Sequence, residues 1–291
     1  MTALSNNLER LEAAIAAACR RAGRPRGEVE LMAVSKTCPA ATVVEAAALG
    51  ITLFGENRVQ EFAAKASALA QLCEPTLPPQ EESPFVSGHD FSRAVNVGES
   101  RRALAPEVCV AGPALAASFG FAANAAPIRV HLIGHLQSNK ALRAAELFDG
   151  IDSLDSPRLA ERLNEAAARL GKRLPVLIEV KLSPEAAKTG LEPESAEAEA
   201  LLERLPDLEH LEARGLMTIP PFGVPDDATR ACFRGLRQWR DRWAAAHPKL
   251  ALEVLSMGMS GDFELAIAEG ATRIRIGTAL FGPRRPKGGW E

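Results

Sequence analysis

The 291-residue chain contains no tyrosine, and only 5% of its residues are aromatic. That absence removes the one phenolic side chain able to serve as acid, base or phosphate-binding hydroxyl. The five cysteines, Cys19, Cys38, Cys73, Cys109 and Cys232, are odd in number, scattered and never arranged as C-x-x-C. Such a pattern indicates reduced thiols rather than a disulfide framework. No uninterrupted apolar run reaches membrane-spanning length, and Glu9, Arg10, Glu12, Arg20 and Arg21 occupy the stretch where a signal peptide would be apolar. The cytoplasm is therefore the expected location. Basic residues are not in excess either: 34 Lys and Arg stand against 37 Asp and Glu, a formal net charge of -3. Only the short Arg284, Arg285, Lys287 cluster resembles a basic tail. A chain with this balance has little with which to neutralise a phosphate backbone, so neither nucleic acid nor a membrane is expected as a partner.

What remains is an ordinary globular composition, 47% hydrophobic and 24% charged, with 22 glycines and 20 prolines. At roughly 100 to 250 residues per domain, the length accommodates one large domain with an insertion or two small ones. Leu4, Leu8, Leu11 and Ile15 recur at helical spacing and predict an amphipathic helix ending near Gly23 and Pro25. Beyond it, short apolar runs alternate with helical patterns. Strands are predicted at 31–35, 51–54, 128–133, 150–154, 176–181, 211–216, 252–256 and 272–276; the helices between them include 40–49, 56–72, 157–170, 228–246 and 262–269. Eight β-then-α units imply a single closed (β/α)8 TIM barrel in preference to an open doubly wound sheet. Residues 74–127 break the rhythm. They hold Pro75, Pro78, Pro79, Pro84, Pro106, Pro113 and Pro127 with weak periodicity, and read as an insertion between the second helix and the third strand. In a barrel that connection lies on the N-terminal face, away from the βα loops that carry chemistry, so the insertion bears on stability or assembly.

Two features converge on the ends of strands. Val34-Ser35-Lys36-Thr37 delivers a lysine at the end of the first. Two-residue alternation groups Lys36 with Val34 and Met32, facing inward and partly desolvated. Desolvation favours the neutral amine, which attacks an aldehyde to form a Schiff base. Alone, a lysine at a strand end reads better as a snorkelling surface residue. The second feature is Leu255-Ser256-Met257-Gly258-Met259-Ser260 with Arg275-Ile276-Gly277-Thr278. Both segments follow late strands, where glycine permits close backbone approach and barrels hold phosphate. Neither is a Walker A loop or a G-x-G-x-x-G fingerprint, so plain turn glycines remain an open reading for each alone. A lysine and a phosphate cradle at one barrel mouth match the aldehyde and phosphate of pyridoxal 5'-phosphate (PLP).

Five segments occur in order: Ala33-Val34-Ser35-Lys36, Phe54-Gly55-Glu56-Asn57, His131-x-Ile133-Gly134-x-Leu136-Gln137-x-Asn139-Lys140, Gly215-Leu216-Met217-Thr218-Ile219-Pro220 and Ser256-Met257-Gly258-Met259-Ser260. Together they resemble the pyridoxal phosphate homeostasis protein family, whose fold is the alanine racemase N-terminal barrel. The resemblance spans the chain except 74–127 and the last few residues. It implies that Lys36 forms the internal Schiff base, that Ser256, Gly277 and Thr278 bind the phosphate with help from the Gly258 backbone, and that Arg275 faces the pyridine nitrogen. Asn57, His131 and Met217 match positions around the ring and the mouth. The chain departs from the family's pattern at Arg58 and Val130, where aromatic residues are usual, and in the insertion.

The implied function is a carrier that buffers PLP or hands it to PLP-dependent apoenzymes, as a monomer or weak homodimer, without evident catalysis. Arg275 supports this: a guanidinium donates and stays charged, so a pyridine nitrogen facing it stays unprotonated and is a poorer electron sink. Alanine racemase shares that feature but adds a tyrosine from a further domain, and this chain has no tyrosine to offer. The alternative is a racemase-like PLP enzyme in which Cys38, His131 or an insertion residue replaces tyrosine. A third reading is an aldolase-type barrel using Lys36 directly on a carbonyl substrate. Other signals carry no assigned chemistry. His131 and His135 would lie about 13 Å apart along a strand, too far for one zinc ion. Asp152 and Asp155 read as helix-capping residues before Ser156 and Pro157. By parity, Arg273 and Glu179 face inward and are expected to pair in a lower layer.

Overall fold

The computed structural model describes residues 2–73, 128–183, 185 and 189–283. The insertion assigned to 74–127 and the Arg284, Arg285, Lys287 cluster lie outside the described residues. The chain opens with α1 (Ala3–Arg21), which begins where the Thr2 hydroxyl accepts from the Ser5 N–H at 3.2 Å. Leu4, Leu11, Ile15, Ala18 and Cys19 are buried along its apolar face. Gly23 turns the chain beyond its end with φ 66°, a conformation glycine adopts without a Cβ clash.

Eight parallel strands follow and close on one another in sequence order: β1 (Glu30–Val34), β2 (Leu53–Glu56), β3 (Arg129–Leu132), β4 (Gly150–Leu154), β5 (Leu174–Glu179), β6 (Leu211–Met217), β7 (Val254–Ser256) and β8 (Arg273–Ile276). The helices between and after them are α2 (Ala40–Ala48), α3 (Val59–Cys73), α4 (Ala141–Leu147), α5 (Pro157–Arg169), α6 (Ala196–Arg204), α7 (Asp226–Ala246), α8 (Phe263–Ala268) and α9 (Thr278–Phe281). The barrel expected from strict alternation is present. All eight strand predictions overlap observed strands, with local differences. Ile51 was expected to start β2; instead its N–H closes the end of α2 on the Ala46 carbonyl, at 3.2 Å, after Gly50 at φ 92°. β5 starts at Leu174, ahead of the expected Val176. Its pairing with β6 shifts between Val176 and Leu177, where β6 accommodates the extra residue Arg214 beside Gly215.

The apolar core lies mainly between barrel and helices, where Phe54, Phe62, Phe148, Ile151, Leu159 and Phe233 are fully buried. The barrel interior carries charge. Glu30 and Arg273 are register partners at the starts of β1 and β8. Arg273 donates through Nε to Glu30 Oε2 at 2.8 Å and through Nη1 to Asp152 Oδ2 at 3.0 Å. Asp152 Oδ1 lies 2.8 Å from His131 Nδ1, and Arg129 donates to Glu30 Oε1 at 2.6 Å.

This network corrects two expectations. Arg273 pairs with Glu30 and Asp152, not with Glu179, whose Oε1 accepts from the Thr189 hydroxyl at 3.0 Å. Glu179, Met217, Ser256 and Arg273 do line up along the hydrogen-bonding direction. In a tilted barrel that direction runs oblique to the axis, so the last residue of β5 and the first of β8 occupy different layers. Asp152 is likewise not a cap: it lies inside β4 and faces the interior, while the cap of α5 is Ser156, whose hydroxyl accepts from the Leu159 N–H. Asp155 instead holds His135 Nδ1 at 2.9 Å.

Burial alone would raise the Asp152 carboxyl, but the adjoining His131 and Arg273 outweigh it and hold it below the ordinary aspartate range. Glu30 is similarly held low: burial acts upward, and Arg273 and Arg129 prevail. Groups with depressed folded-state pKa values contribute stability that is complete above their unfolded values, about pH 4 to 4.5, and lost as pH falls through the lower native ones. Asp152→Asn is therefore expected to lose about 3 to 5 kcal/mol at neutral pH by uncompensating Arg273, and to flatten the acid side of the stability profile measured by urea unfolding. An acid limb as steep as the wild type's would contradict this role for Asp152.

Candidate functional site

The C-terminal ends of β6, β7 and β8 meet at Arg275. Its Nη1 donates to the Ser256 carbonyl at 2.6 Å and to Ser256 Oγ at 2.9 Å, and its Nη2 donates to the Thr218 carbonyl at 2.8 Å. Its backbone N–H donates to the Gly258 carbonyl at 2.9 Å. Ser256 and Thr218 are fully buried, and Arg275 almost so. Burial pulls the Arg275 pKa below the usual arginine range, opposed by the carboxylates of Asp152, Asp262 and Glu179. Three of the five N–H groups of its guanidinium are thus aimed and satisfied by the protein. Met217, the last residue of β6, is fully buried beside Ser256 in register. The Thr218 hydroxyl donates to the Val180 carbonyl at 2.8 Å and ties this corner to the end of β5.

Gly258 is required here on two counts. Its φ of 94° is strained for any residue with a Cβ, and a Cβ would stand 2.6 Å from that of Ala266. The loop thereby packs down on α8. The Met259 N–H donates to Asp262, and the Ser260 hydroxyl accepts from the Ala279 N–H at 3.2 Å, joining the β7 loop to the start of α9. Gly277 caps α9, and Thr278, its first residue, is exposed. Among the described residues the backbone N–H groups of Gly258, Gly277 and Thr278 donate to no protein acceptor. Gly277 also lies against β1: a Cβ there would come within 3.6 Å of the Val34 carbonyl oxygen. The α9 start and the turn carrying Lys36 are therefore neighbours.

Lys36 is half-buried in the turn after β1. On the other side of that turn, Ser35 is buried against Glu56 and Lys65. Cys38 closes the turn, its N–H donating to the Ser35 carbonyl at 2.8 Å. Burial pushes the Cys38 thiol up to about 11, with Lys65 pulling it down and Glu56 adding to the rise. Asn57 follows β2 directly and is half-buried; a Cβ on Gly134 would lie 2.3 Å from its carbonyl oxygen, so Gly134 permits that approach. His131 is buried in β3, its ring packed over Gly150 and tied to Asp152.

The structure thus links Met217, Ser256, Gly258 and Arg275 directly, sets Gly277 and Thr278 beside the turn of Lys36, and attaches His131 to the interior ion network. Sequence reasoning missed Thr218, Ser260, Asp152 and the Glu56–Lys65 pair. For Asp152 the signal was present, because strand alternation places it in β4 facing inward. For Lys65 it was not, because α3 meets β1 only in three dimensions. Glu179 adds a buried carboxyl at the end of β5, raised above its ordinary range by burial, with one oxygen on Thr189 and, among the described residues, no partner for Oε2. A separate concavity of about 240 Å³ lies outside the barrel between α4 and α5, lined by Arg158, Arg162 and Arg169 and by none of the residues above. Among the described residues no group of three or more His, Cys, Asp or Glu side chains is arranged to hold a metal, and no helix is long and apolar enough to cross a membrane.

The alanine racemase N-terminal domain family matches residues 6–285. Pyridoxal phosphate homeostasis proteins of Pseudomonas aeruginosa and Vibrio cholerae are each 36% identical to the chain, over 284 and 286 residues; both alignments cover 98% of this chain, and 97% and 98% of those proteins. Among solved structures, PipY of Synechococcus elongatus with PLP bound superposes with a TM-score of 0.69 at 36% identity, covering 96% of this chain and 100% of that one. Alanine racemase of Clostridium difficile superposes with a TM-score of 0.59 at 15% identity over 98% of this chain and 57% of that chain, a likeness of fold alone. With its closed parallel barrel and five ordered motifs, the chain belongs to the pyridoxal phosphate homeostasis protein family, built on the alanine racemase N-terminal domain.

Proposed function

We propose that this protein binds pyridoxal 5'-phosphate, carries it as a Schiff base on Lys36 and exchanges it, buffering the free aldehyde or passing it to PLP-dependent apoenzymes. The observation that carries this reading is the adjacency of the Lys36 turn to the Gly277–Thr278 start of α9, seen in the contact of Gly277 with Val34. A turn carrying an amine beside a helix start with backbone donors suits one small molecule bearing both an aldehyde and a phosphate. The donor chemistry agrees. Backbone N–H groups of Gly258, Gly277 and Thr278, with the Thr278 hydroxyl, would hold the phosphate, and Arg275 would present a donor to the pyridine nitrogen. Asn57, His131 and Met217 would border the ring. The geometry supports giving Ser256 its part through Arg275, since its buried hydroxyl already accepts from that guanidinium. PipY, 36% identical and matched over 96% of this chain, is described with PLP bound.

The carrier reading is favoured over racemase-like turnover by the state of the substitute bases. A thiol pushed up to about 11 is protonated at neutral pH, so Cys38 is a poor base there. His131 is held on Asp152 within the interior network.

Three outcomes are expected. PLP added to the apoprotein produces a borohydride-trappable absorption band that Lys36→Ala abolishes; a wild-type spectrum without that band would remove the reading. Thr278→Ala, an exposed change, weakens PLP retention about tenfold, the worth of one charge-assisted hydrogen bond, whereas direct use of Lys36 on a carbonyl substrate leaves retention unmoved. PLP-loaded protein incubated with L-amino acids in deuterated water shows no steady loss of the α-proton by NMR, and sustained exchange would favour the racemase-like alternative.

A further inference from the structure

Behind the turn of Lys36 lies a buried ion pair that the cofactor reading does not use. Parity separates the two sides of β1 and β2. Met32, Gly55 and Ile133 share the interior face, since a Cβ on Gly55 would stand 2.8 Å from Met32 Sδ and 3.1 Å from Ile133 Cδ1. The neighbours Ser35 and Glu56 therefore face the helix layer, where Lys65 of α3 reaches them. Glu56 Oε1 accepts from Ser35 Oγ at 2.7 Å and from Lys65 Nζ at 2.5 Å. Lys65 Nζ also donates to the Ser35 carbonyl at 2.7 Å, the same oxygen that accepts from the Cys38 N–H. The Ser35 N–H donates in turn to the Gly55 carbonyl at 3.1 Å. Every polar group of Ser35 is thus engaged.

The burial is substantial: the Glu56 side chain is 1% exposed and that of Lys65 10%. Among the described residues, the buried Glu56 Oε2 has no hydrogen-bond partner. Such a pair is weak as a source of stability, because desolvating two charges offsets most of their attraction. Its chemistry is better suited to fixing direction, since breaking it strands a buried charge. What it fixes is the residue immediately before Lys36.

We infer that Glu56 and Lys65 are positioning residues for Lys36: through Ser35 they clamp the 35–38 turn from the helix side, so that the amine is placed before any cofactor arrives. The inference rests on the proposed role of Lys36 and goes beyond it, because it assigns the rate and retention of capture to a pair outside the binding pocket. A group held in place loses less freedom on reaction, and a small misplacement of a reacting atom costs on the order of tenfold to a hundredfold in rate.

The test uses the full-length protein with Lys65→Met, Lys65→Arg, Glu56→Gln, Ser35→Ala and Lys36→Ala. Two readouts are taken besides the thermal midpoint: amide hydrogen exchange across residues 33–40 of the apoprotein, and the rate constants for PLP capture and release. Lys65→Met and Glu56→Gln are expected to raise exchange in that segment selectively and to slow capture by about tenfold or more. Lys65→Arg, which keeps the charge, should restore most of both. Ser35→Ala removes only the hydroxyl and should give an intermediate effect in a protein that still folds. Wild-type exchange and capture in Lys65→Met and Glu56→Gln, or lower thermal midpoints with capture unchanged, would overturn the inference. Should Lys36→Ala itself capture PLP as the wild type does, the proposed role of Lys36 fails instead, and the two failures are told apart.

Discussion

Two guanidiniums on one strand, Arg273 and Arg275, are enclosed by a closed barrel, and much of the architecture follows from having to compensate them there. An enclosed charge is costly unless geometry supplies partners at hydrogen-bonding distance. Arg273 receives carboxylates, Glu30 from the adjoining strand and Asp152 from across the barrel. Arg275, one layer nearer the mouth, receives carbonyls and a hydroxyl from the ends of β6 and β7. The difference matters. A carboxylate partner would neutralise Arg275 locally, whereas neutral acceptors orient it and leave its positive charge to act on whatever lies above it.

The layers divide the labour. The lower interior holds Arg273, Asp152 and His131, joined at its rim by half-buried Glu30 and exposed Arg129, an ion network where such barrels usually carry an apolar layer. The upper layer holds the neutral acceptors around Arg275 and leads to loops whose glycines allow tight approach, Gly258 against α8 and Gly134 against Asn57. Outside the barrel wall a second polar cluster, Ser35 with Glu56 and Lys65, braces the β1 turn. The mouth is thus braced from beneath by one polar network and from the side by another, in keeping with the rigid setting that the proposed role of Lys36 would need.

How far the sequence reached depended on whether a property was local. Strand and helix alternation identified the barrel, and five ordered motifs identified the family, because hydrophobic period and short-range spacing are carried by neighbouring residues. Element ends were less legible. Ile51 has the apolar character of a strand residue, yet its N–H completes the end of α2 because Gly50 reverses the chain. Parity correctly turned Arg273 and Arg275 inward, but parity has no height. It therefore paired Arg273 with Glu179, when strand tilt places Glu30 and Asp152 at the level of Arg273.

The tyrosine count remains a property of the sequence alone: no folding event can supply a phenol that the chain does not encode. The same is true of Lys36 at a strand end, of glycines 258 and 277, and of the absence of a basic excess. Only the tertiary structure decided which charges meet. Asp152 is separated from Arg273 by 121 positions and Ser35 from Lys65 by 30, and both contacts exist because barrel closure and helix packing bring distant segments together. Composition determines which chemistry is available to the chain; closure of the barrel determines which groups are held close enough, and dry enough, to use it.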